Sequence, residues 1–523
     1  MNRIPSPSAE DEQKPPFRRG RVIAACVCFL LAATVYTLVA WYVENFDTNL
    51  AGLLFTISIP QKGTGPSAVT GPAMRIIPEI LRYLMLYIVL LLLTCSDGFW
   101  RFLSRITGIG REKVAPVWTR LAGVRRKIGA AALALGFLSA LVSPAYAFIQ
   151  MDVPEYLERA GTQTRIYEEE YVSPDDASLI PPADKPNLIS IYLESMETTY
   201  ASLEDGGYQP ENYMPNLTRL ARENVSFSDK EGLGGFHSTE NTNWTMAALF
   251  AGTSGLPFAF PVDGNSMWKY NTFAPAIVTL GDLLSRQGYT QEFLCGSDGE
   301  YGGRALYFRG HGNYEIYDLW KAREEGDIPE DYYVWWGFED RVLFDIAKKE
   351  ATRLWEAGEP FNLTILTVDA HHLGGYVCPV CGDAYEDPTA NVIACTDRQV
   401  AAFVDWCRSQ PFWDDTVIVI NGDHPRMDAC LTEGVDFFDR TVYNCFINAR
   451  KQPKRGVTNR EAVMMDLYPT TLSALGWTIP GDRLGLGTDL FSNTPTLAER
   501  KGIAWLNDET MRYSQYFVDH FAK

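Results

Sequence analysis

The chain has 523 residues, more than one ordinary hydrophobic core accommodates, so at least two structural regions are expected. Acidic residues outnumber basic ones by 65 to 46, but unevenly: residues 1–150 carry 16 Lys and Arg against 8 Asp and Glu, and the remainder carries 30 against 57. This balance excludes nucleic acid as a partner because the acidic body lacks a basic face, and a hydrophobic share of 46% excludes wholesale disorder.

Three long apolar stretches in residues 1–150, the basic part of the chain, are typical of membrane-spanning helices. Residues 22–42 contain no charged side chain and are long enough to cross roughly 30 Å of hydrocarbon. Similar stretches lie at about residues 78–99 and 128–149. A buried globular helix is the alternative for the third stretch, and its length argues against that alternative. We therefore expect residues 1–150 to form a membrane anchor of three transmembrane helices.

The basic residues predict the orientation of this anchor. Residues 1–21 hold five Lys and Arg and residues 101–127 hold eight, whereas residues 43–75 hold two. The positive-inside rule therefore places the two basic segments in the cytoplasm and everything after residue 150 outside. The tripeptide AYA at residues 145–147 has the small-x-small pattern of a signal-peptidase site, and chance in an alanine-rich helix explains it equally well.

The residues after 150, which we call the outer body, are predicted to form one α/β domain. Residues 151–184 are charged and weakly periodic, so we expect a juxtamembrane linker there. Between residues 185 and 523, short apolar runs alternate with helical segments, as in a mainly parallel sheet covered by helices. The predicted strands are residues 187–195, 227–232, 289–298, 361–372 and 414–424. Ligands of such folds bind at the carboxyl ends of the strands.

The carboxyl ends of three predicted strands carry side chains suited to a metal ion. These side chains are Glu194 after the first strand, Asp369, His371 and His372 in the fourth, and Asp423 and His424 in the fifth. Carboxylate oxygens with an imidazole nitrogen form a mixed site for Mn²⁺, Mg²⁺ or Zn²⁺. Taken singly, Glu194 could cap a helix and Asp423-His424 could form a hydrogen-bonded turn. Their joint placement favours a metal site.

The segment GGFHSTENTNWTMAALFAGTSGLP, residues 234–257, contains the candidate nucleophiles. A Ser/Thr-rich loop leads into a small-residue helix, so a hydroxyl near the helix N-terminus would meet backbone N–H groups that favour a phosphate. An N-cap without chemistry is the commoner role for such residues. Composition alone does not separate the four hydroxyls, which belong to Ser238, Thr239, Thr242 and Thr245.

Seven cysteines lie in the outer body, an odd number in a compartment that could be oxidising. Cys378-Pro-Val-Cys381 resembles half of a zinc ribbon, but no second C-x-x-C follows. A disulfide or a surface loop is therefore the favoured interpretation, and the sequence does not give the pairing.

Taken together, the motifs of the outer body resemble a known enzyme family. In order they are NLISIYLESMETTY, YMPNLTRLA, NTNWTMAALFAGTSGLP, TVDAHHLGGYVCPVC, FWDDTVIVINGDH, MDLYPTTLSALGW and LGLGTDLF. Most of residues 185–495 resembles the membrane-anchored phosphoglycerol transferases of the alkaline phosphatase/sulfatase superfamily. That group includes lipoteichoic acid synthases and the transferase that decorates periplasmic glucans. The motifs NWTMAAL and DAHHLGG are closer to the glucan-modifying branch.

The resemblance implies a metal-dependent nucleophile. Glu194, Asp423 and His424 would bind one divalent ion, with Mn²⁺ preferred over Mg²⁺ or Zn²⁺. Thr242, second in the N-T-N-W-T run, would be both the nucleophile and the fourth ligand. A threonine hydroxyl is a poor nucleophile until a metal lowers its pKa, so these two roles belong together.

The resemblance also implies two substrate-binding residues. His371 would bind the phosphate or leaving group, and Arg304, in GEYGGRALYF, would bind the substrate phosphate. The family usually has threonine where this chain has Ala370, and proline where it has Leu373. These departures leave the metal ligands intact and concern only the acceptor side.

The implied reaction moves phosphoglycerol from phosphatidylglycerol to a hydroxyl of a glycan or glycerophosphate polymer, through a phospho-threonine intermediate and with release of diacylglycerol. Because no ATP is present outside the membrane, the donor must carry its own phosphoester. The chain would be a multi-pass protein of the bacterial cell membrane with its catalytic domain outside. The alternatives are a phosphoethanolamine transferase and an inactive glycan-binding or sensor protein of the cell envelope. Sulfatase activity is disfavoured because the sequence has no Cys/Ser-x-Pro-x-Arg motif.

Overall fold

The computed structural model describes residues 17–46, 50, 53, 67–96, 99, 102, 106, 111–262, 266–372 and 374–522. The described residues form two compact units that divide after Glu158.

The first unit consists mainly of three long helices, α1 (Arg19–Phe46), α2 (Ser67–Cys95) and α3 (Arg111–Gln150). Each contains a stretch long and apolar enough to cross a membrane, so the chain is a membrane protein. The rings of Phe29 in α1 and Tyr87 in α2 stack with their centroids 4.1 Å apart. The Tyr87 hydroxyl also donates to the carbonyl oxygen of Ala132 in α3, at 2.8 Å. The second helix ends at Cys95, before the predicted end of its span at residue 99.

The described residues of the second unit form ten strands. They are β1 (Asn187–Leu193), β2 (Phe236–His237), β3 (Thr290–Cys295), β4 (Glu315–Tyr317), β5 (Phe361–Leu366), β6 (Thr416–Gly422), β7 (Thr441–Val442), β8 (Asn444–Ile447), β9 (Arg483–Leu484) and β10 (Gly487–Thr488). Six of them form one sheet in the order β4-β3-β5-β1-β6-β8. All pairs are parallel except β6 with β8, and β1 lies between β5 and β6. The prediction of a mainly parallel sheet is confirmed.

Helices and single turns connect these strands. The helices after α3 are α4 (Val153–Gly161), α5 (Ile166–Glu170), α6 (Pro215–Glu223), α7 (Thr245–Ser254), α8 (Leu280–Arg286), α9 (Arg304–Gly310), α10 (Leu319–Glu324), α11 (Asp340–Glu356), α12 (Pro388–Arg408), α13 (Leu467–Ala474), α14 (Leu497–Lys501), α15 (Ile503–Met511) and α16 (Gln515–Phe517). Turns of 3₁₀ helix lie at Thr198–Tyr200, Glu240–Thr242, Met267–Lys269, Tyr301–Gly303, Trp413–Asp415, Phe437–Asp439 and Met464–Asp466, and a π-helical turn at Val518–Ala522.

One predicted strand is wrong. Residues 227–232 form no strand, and the sheet instead ends at β8, which was not predicted. The Ser228 hydroxyl lies 2.8 Å from the carbonyl oxygens of both Lys230 and Gly232. A serine that binds its own following backbone in this way stabilises a turn, so this polar segment leaves the sheet.

Buried apolar side chains fix helices on both faces of the sheet. Ile189 and Ile191 of β1 share one core with Leu343 of α11 and Phe403 of α12. Helix α7 is buried after its first residue, Thr245, along TMAALFAGTS.

The small side chains of α7 let it approach the sheet closely. A Cβ atom on Gly252 would lie 2.9 Å from the Tyr192 hydroxyl of β1 and 3.0 Å from Cδ2 of Leu467 in α13. These contacts are tighter than ordinary packing, so a larger side chain would force the helix to shift. The close fit fixes the position of the first helical residue, Thr245.

Candidate functional site

Two carboxylates and one imidazole meet at the carboxyl ends of the neighbouring strands β1 and β6. Glu194 follows β1, and Asp423 and His424 follow β6. Each offers a ligand atom within 4.8 Å of the other two, and all three side chains are at most 2% exposed. His424 Nε2 is 3.4 Å from Glu194 Oε1 and 3.5 Å from Asp423 Oδ2. The structure therefore brings these three predicted residues together.

Backbone groups hold Asp423 and His424 in ligand-like orientations. Asp423 Oδ1 accepts hydrogen bonds from the N–H groups of Ser195 and His424, both at 2.8 Å. The 2.9 Å contact between His424 Nδ1 and the Pro425 carbonyl oxygen assigns the imidazole proton to Nδ1 and leaves the Nε2 lone pair facing the carboxylates. Asp423 Oδ2 is buried and has no hydrogen-bond partner among the described residues.

Ser195 connects the two strands from a strained conformation. Its φ of 52° lies in the left-handed region that β-carbon sterics disfavour. In this conformation its N–H donates to Asp423, while its hydroxyl donates to Glu194 Oε1 at 2.7 Å. The strained residue therefore positions both carboxylates at once.

The two carboxylates of this group lie close together in a buried position, where their negative charges repel each other. Burial raises the pKa of Asp423 to about 7, and the neighbouring Glu194 carboxylate contributes to the rise. Burial also opposes ionisation of Glu194, but electrostatic interaction with His424 and His371, together with the hydrogen bonds from Ser195 and Thr245, outweighs burial and lowers the pKa of this carboxyl group below its usual value. A divalent cation would relieve the repulsion between two buried carboxylates.

The donor atoms fit such a cation. Two carboxylate oxygens and one imidazole nitrogen suit Mn²⁺, Mg²⁺ or Zn²⁺. The unpartnered Asp423 Oδ2 is a buried polar atom that a metal bond would satisfy. Glu194, Asp423 and His424 thus form a buried group able to hold one divalent ion.

A threonine hydroxyl lies against this group, and it belongs to Thr245. Its Oγ1 donates to Glu194 Oε2 at 3.2 Å and lies 3.5 Å from His424 Nε2. Thr245 is the first residue of α7, where the N–H groups of the first turn lack partners within the helix. The hydroxyl therefore lies between the candidate metal ligands and an anion-binding helix N-terminus.

The structure does not bring Thr242 to this group, which corrects the expectation that it is the fourth ligand. The Thr242 hydroxyl is buried in the turn at Glu240–Thr242, where it accepts from the Thr239 N–H at 3.0 Å and donates to the Thr239 carbonyl oxygen at 3.1 Å. Its hydrogen-bonding capacity is thus used within the turn. Thr245 was one of the four hydroxyls that composition did not separate, and the position of the helix start is the signal that favours it.

A cleft of about 260 Å³ opens beside the carboxylate group. Its lining includes Glu194, Thr245, Trp244, Tyr301, Arg304, Trp336, His371, His372, His424 and Met427. Of the predicted site residues, Glu194, Arg304, His371, His372 and His424 line this cavity, whereas Asp369, Asp423 and Thr242 do not. The aromatic residues of the cleft could not be predicted, because nothing in their local sequence pattern distinguishes them from aromatic residues of the core.

Arg304 lines this cleft at the start of α9. Its guanidinium donates to the carbonyl oxygens of Tyr301 at 3.0 Å and Asp298 at 2.7 Å, and to the Ser297 hydroxyl at 3.1 Å. It also lies over the Tyr301 ring, 5.5 Å from the centroid. These contacts fix a buried positive charge in the wall of the cleft.

His371 faces the same cleft from the segment after β5. Its Nδ1 lies 2.7 Å from the His372 carbonyl oxygen, so Nδ1 carries the proton and Nε2 is left to accept a hydrogen bond or a proton. Its ring centroid is 4.8 Å from that of Trp336 and 4.2 Å from that of His372. Burial lowers the pKa of His372, as does the neighbouring His371. Leu373, which stands where the family usually has proline, lies outside the described residues.

Comparison with known proteins identifies the family of the outer unit. The family model for sulfatases matches residues 186–477, which is more than half of the chain. Phosphoglycerol transferase I of Xanthomonas campestris pv. campestris (strain B100) is 33% identical over 315 residues, covering 59% of this chain and 43% of that protein. Phosphoglycerol transferase I of Escherichia coli O127:H6 is 30% identical over 341 residues, covering 62% and 42%. The chain thus spans less than half the length of these relatives.

Solved structures similar to this chain include two proteins of the bacterial envelope. The lipoteichoic acid synthase LtaP from Listeria monocytogenes has a TM-score of 0.46 and 17% identity, covering 61% of this chain and 80% of that chain. The C-terminal periplasmic domain of EcEptC from Escherichia coli has a TM-score of 0.41 and 13% identity, covering 59% and 88%. The family match and the curated relatives confirm the resemblance that the motifs indicated. The chain belongs to the sulfatase family.

Proposed function

We propose that this chain transfers phosphoglycerol from phosphatidylglycerol to a hydroxyl of a glycan or glycerophosphate polymer. The observation that carries the proposal is the Thr245 hydroxyl, which lies at a helix N-terminus and against a buried Glu–Asp–His group. A hydroxyl in this setting suits phosphoryl transfer through a covalent intermediate. The similarity to proteins named phosphoglycerol transferase I supports phosphoglycerol as the transferred group.

In this mechanism Glu194, Asp423 and His424 would hold one divalent ion, with Mn²⁺ as the preferred metal. When bound, such an ion would lower the pKa of the nearby Thr245 hydroxyl. Its positive charge would stabilise the negative charge on the phosphoryl oxygens. Thr245 Oγ1 attacks the phosphorus of the donor, and its proton leaves along the hydrogen bond to Glu194 Oε2.

The first step forms a bond from Thr245 Oγ1 to phosphorus and breaks the bond from phosphorus to the diacylglycerol oxygen. Protonated His371 Nε2 is proposed to give that oxygen its proton, because the imidazole borders the same cleft. Arg304 and the N–H groups at the start of α7 bind the phosphoryl oxygens. An acceptor hydroxyl then attacks the phosphorus and loses its proton to His371, while the bond from phosphorus to Thr245 Oγ1 breaks and Thr245 takes back its proton from Glu194, which restores the free enzyme.

Phosphatidylglycerol labelled in its headgroup tests this proposal. Membranes containing the chain are expected to release diacylglycerol and move the label to an acceptor glycan or polymer in equal amounts. Labelled phosphatidylethanolamine serves as the matched control, and transfer only from that lipid would indicate a phosphoethanolamine transferase. Absence of transfer from both lipids, with metal and acceptor supplied, would indicate an inactive sensor or binding protein.

We also propose that the amino terminus and residues 101–127 are cytoplasmic and that the catalytic unit is outside. The support is the charge difference between residues 101–127, with eight Lys and Arg, and residues 43–75, with two. Protease added to intact spheroplasts is expected to digest the outer unit while leaving a cytoplasmic marker protein intact. Full protection of the outer unit until the membrane is disrupted would contradict this orientation.

A further inference from the structure

Three cysteines outside the cleft form a second group of metal-ligand atoms. Cys378 and Cys381 belong to the segment between β5 and α12, and Cys395 belongs to α12. Their Sγ atoms all lie within 4.8 Å of one another, and the three side chains are at most 3% exposed. The segment is a surface loop, as expected, with Val377 and Val380 both 49% exposed, but its two cysteine side chains are buried.

A hydrogen-bonded turn brings the two loop cysteines together. The Cys381 N–H donates to the Cys378 carbonyl oxygen at 3.0 Å, which closes the turn. The Cys378 N–H donates to Cys381 Sγ at 3.2 Å, a bond that stabilises a thiolate. Gly382 follows with a φ of 76°, a conformation that glycine adopts without strain. The sequence Cys-Pro-Val-Cys-Gly therefore directs two sulfur atoms to one point.

The sulfur separations match a tetrahedral metal site. Cys378 Sγ is 3.5 Å from Cys381 Sγ and 3.7 Å from Cys395 Sγ. Tetrahedral Zn²⁺ with Zn–S bonds of about 2.3 Å requires sulfur atoms about 3.8 Å apart. A disulfide requires a separation of about 2 Å, and it would join only two of the three atoms. One zinc ion satisfies all three sulfurs.

Neighbouring side chains stabilise the negative charge of such a site. Three thiolates and one Zn²⁺ carry a net charge of −1, which requires compensation in a buried position. The Arg398 guanidinium donates to the Cys381 carbonyl oxygen at 2.6 Å, and the Gln399 amide donates to Cys395 Sγ at 3.3 Å. No fourth thiol, imidazole or carboxylate among the described residues joins the group, so the fourth position of a bound ion would be left to a small ligand such as water.

We propose that Cys378, Cys381 and Cys395 bind one Zn²⁺ that is distinct from the metal held by Glu194, Asp423 and His424. Thiolate ligands select zinc over the hard cations that suit carboxylates. The ion would tie the segment that carries His371 and His372 to α12, which packs in the core through Phe403. Its role is to fix the wall of the cleft without entering the reaction.

Zinc content of the full-length chain tests this proposal in an Asp423→Asn background, which weakens the other metal group. We expect about one zinc per chain in that background by plasma mass spectrometry. X-ray absorption should show three sulfur ligands at about 2.3 Å. Adding Cys395→Ala is expected to remove the zinc, whereas adding Cys407→Ala, at another buried cysteine of α12, should retain it.

Alkylation of the unmutated chain keeps the proposal testable if Cys395→Ala fails to fold. The three cysteines are expected to resist iodoacetamide together and to become reactive together after a zinc chelator is added. A disulfide between any two of them in unreduced protein would overturn the proposal, as would unchanged zinc content in the Cys395→Ala variant. These readouts do not depend on phosphoglycerol transfer, so either proposal can fail alone.

Discussion

Replacing Thr245 with alanine is expected to lower kcat for diacylglycerol release from phosphatidylglycerol by at least about 1,000-fold, because the covalent route is lost. Thr242→Ala is the matched control, three residues earlier in the same segment. It removes the hydrogen bonds to Thr239 and costs about 1 kcal/mol of stability, as loss of a cap does. We therefore expect it to fold and to retain substantial turnover.

Mass spectrometry distinguishes the two hydroxyls directly. Protein incubated with phosphatidylglycerol and no acceptor is expected to carry a glycerophosphate group, and fragment ions should assign it to Thr245. An adduct on Thr242, or normal turnover by Thr245→Ala, would show that the nucleophile is another hydroxyl even if the reaction is correct.

Asp423→Asn is expected to remove the divalent ion at the carboxylate group and to abolish turnover while the fold survives. The asparagine oxygen can still accept from the N–H groups of Ser195 and His424, as Asp423 Oδ1 does. At the position of Oδ2 the amide presents N–H groups, which cannot bind a cation. The substitution therefore removes a metal ligand and one negative charge with little change in shape.

Metal analysis and circular dichroism together check this expectation. Occupancy by added Mn²⁺ should fall in Asp423→Asn, with an unchanged helical spectrum. The control is Asp489→Asn, at another buried carboxyl group, which accepts hydrogen bonds from Ser473 and Phe491 and whose pKa burial raises to about 6. That variant should bind metal normally. Full activity in protein freed of divalent metal would contradict the mechanism.

The sequence was sufficient to predict that Glu194, Asp423 and His424 lie together, but not that the Thr245 hydroxyl lies against them. Glu194, Asp423 and His424 each follow a strongly apolar strand, and parallel strands bring their carboxyl ends to one edge. The choice between Thr242 and Thr245 depends on where α7 begins. The helix begins at Thr245, as the small-residue run TMAALFAG predicts, and it was the resemblance at N-T-N-W-T that favoured Thr242 instead.

Contacts between distant parts of the chain explain the other errors. Cys395 lies in a helix, 14 positions after Cys381, and only the packing of α12 against the loop brings its sulfur to the other two. Strand β8 is short, and its place at the sheet edge depends on pairing with β6. Neither feature produces a periodic pattern of residues within one local segment of the sequence, so neither could be predicted from such a segment.

The placement of the carboxylate group has a consequence for how such enzymes diversify. Glu194, Asp423 and His424 are fixed by β1 and β6, two adjacent interior strands, whereas Arg304, Trp336 and His371 extend from connecting segments. Connections tolerate insertions and exchanges that interior strands do not. Under the proposed function, selection can remodel the wall that would meet the acceptor, and so change which hydroxyl is modified, while the Glu–Asp–His group stays unchanged.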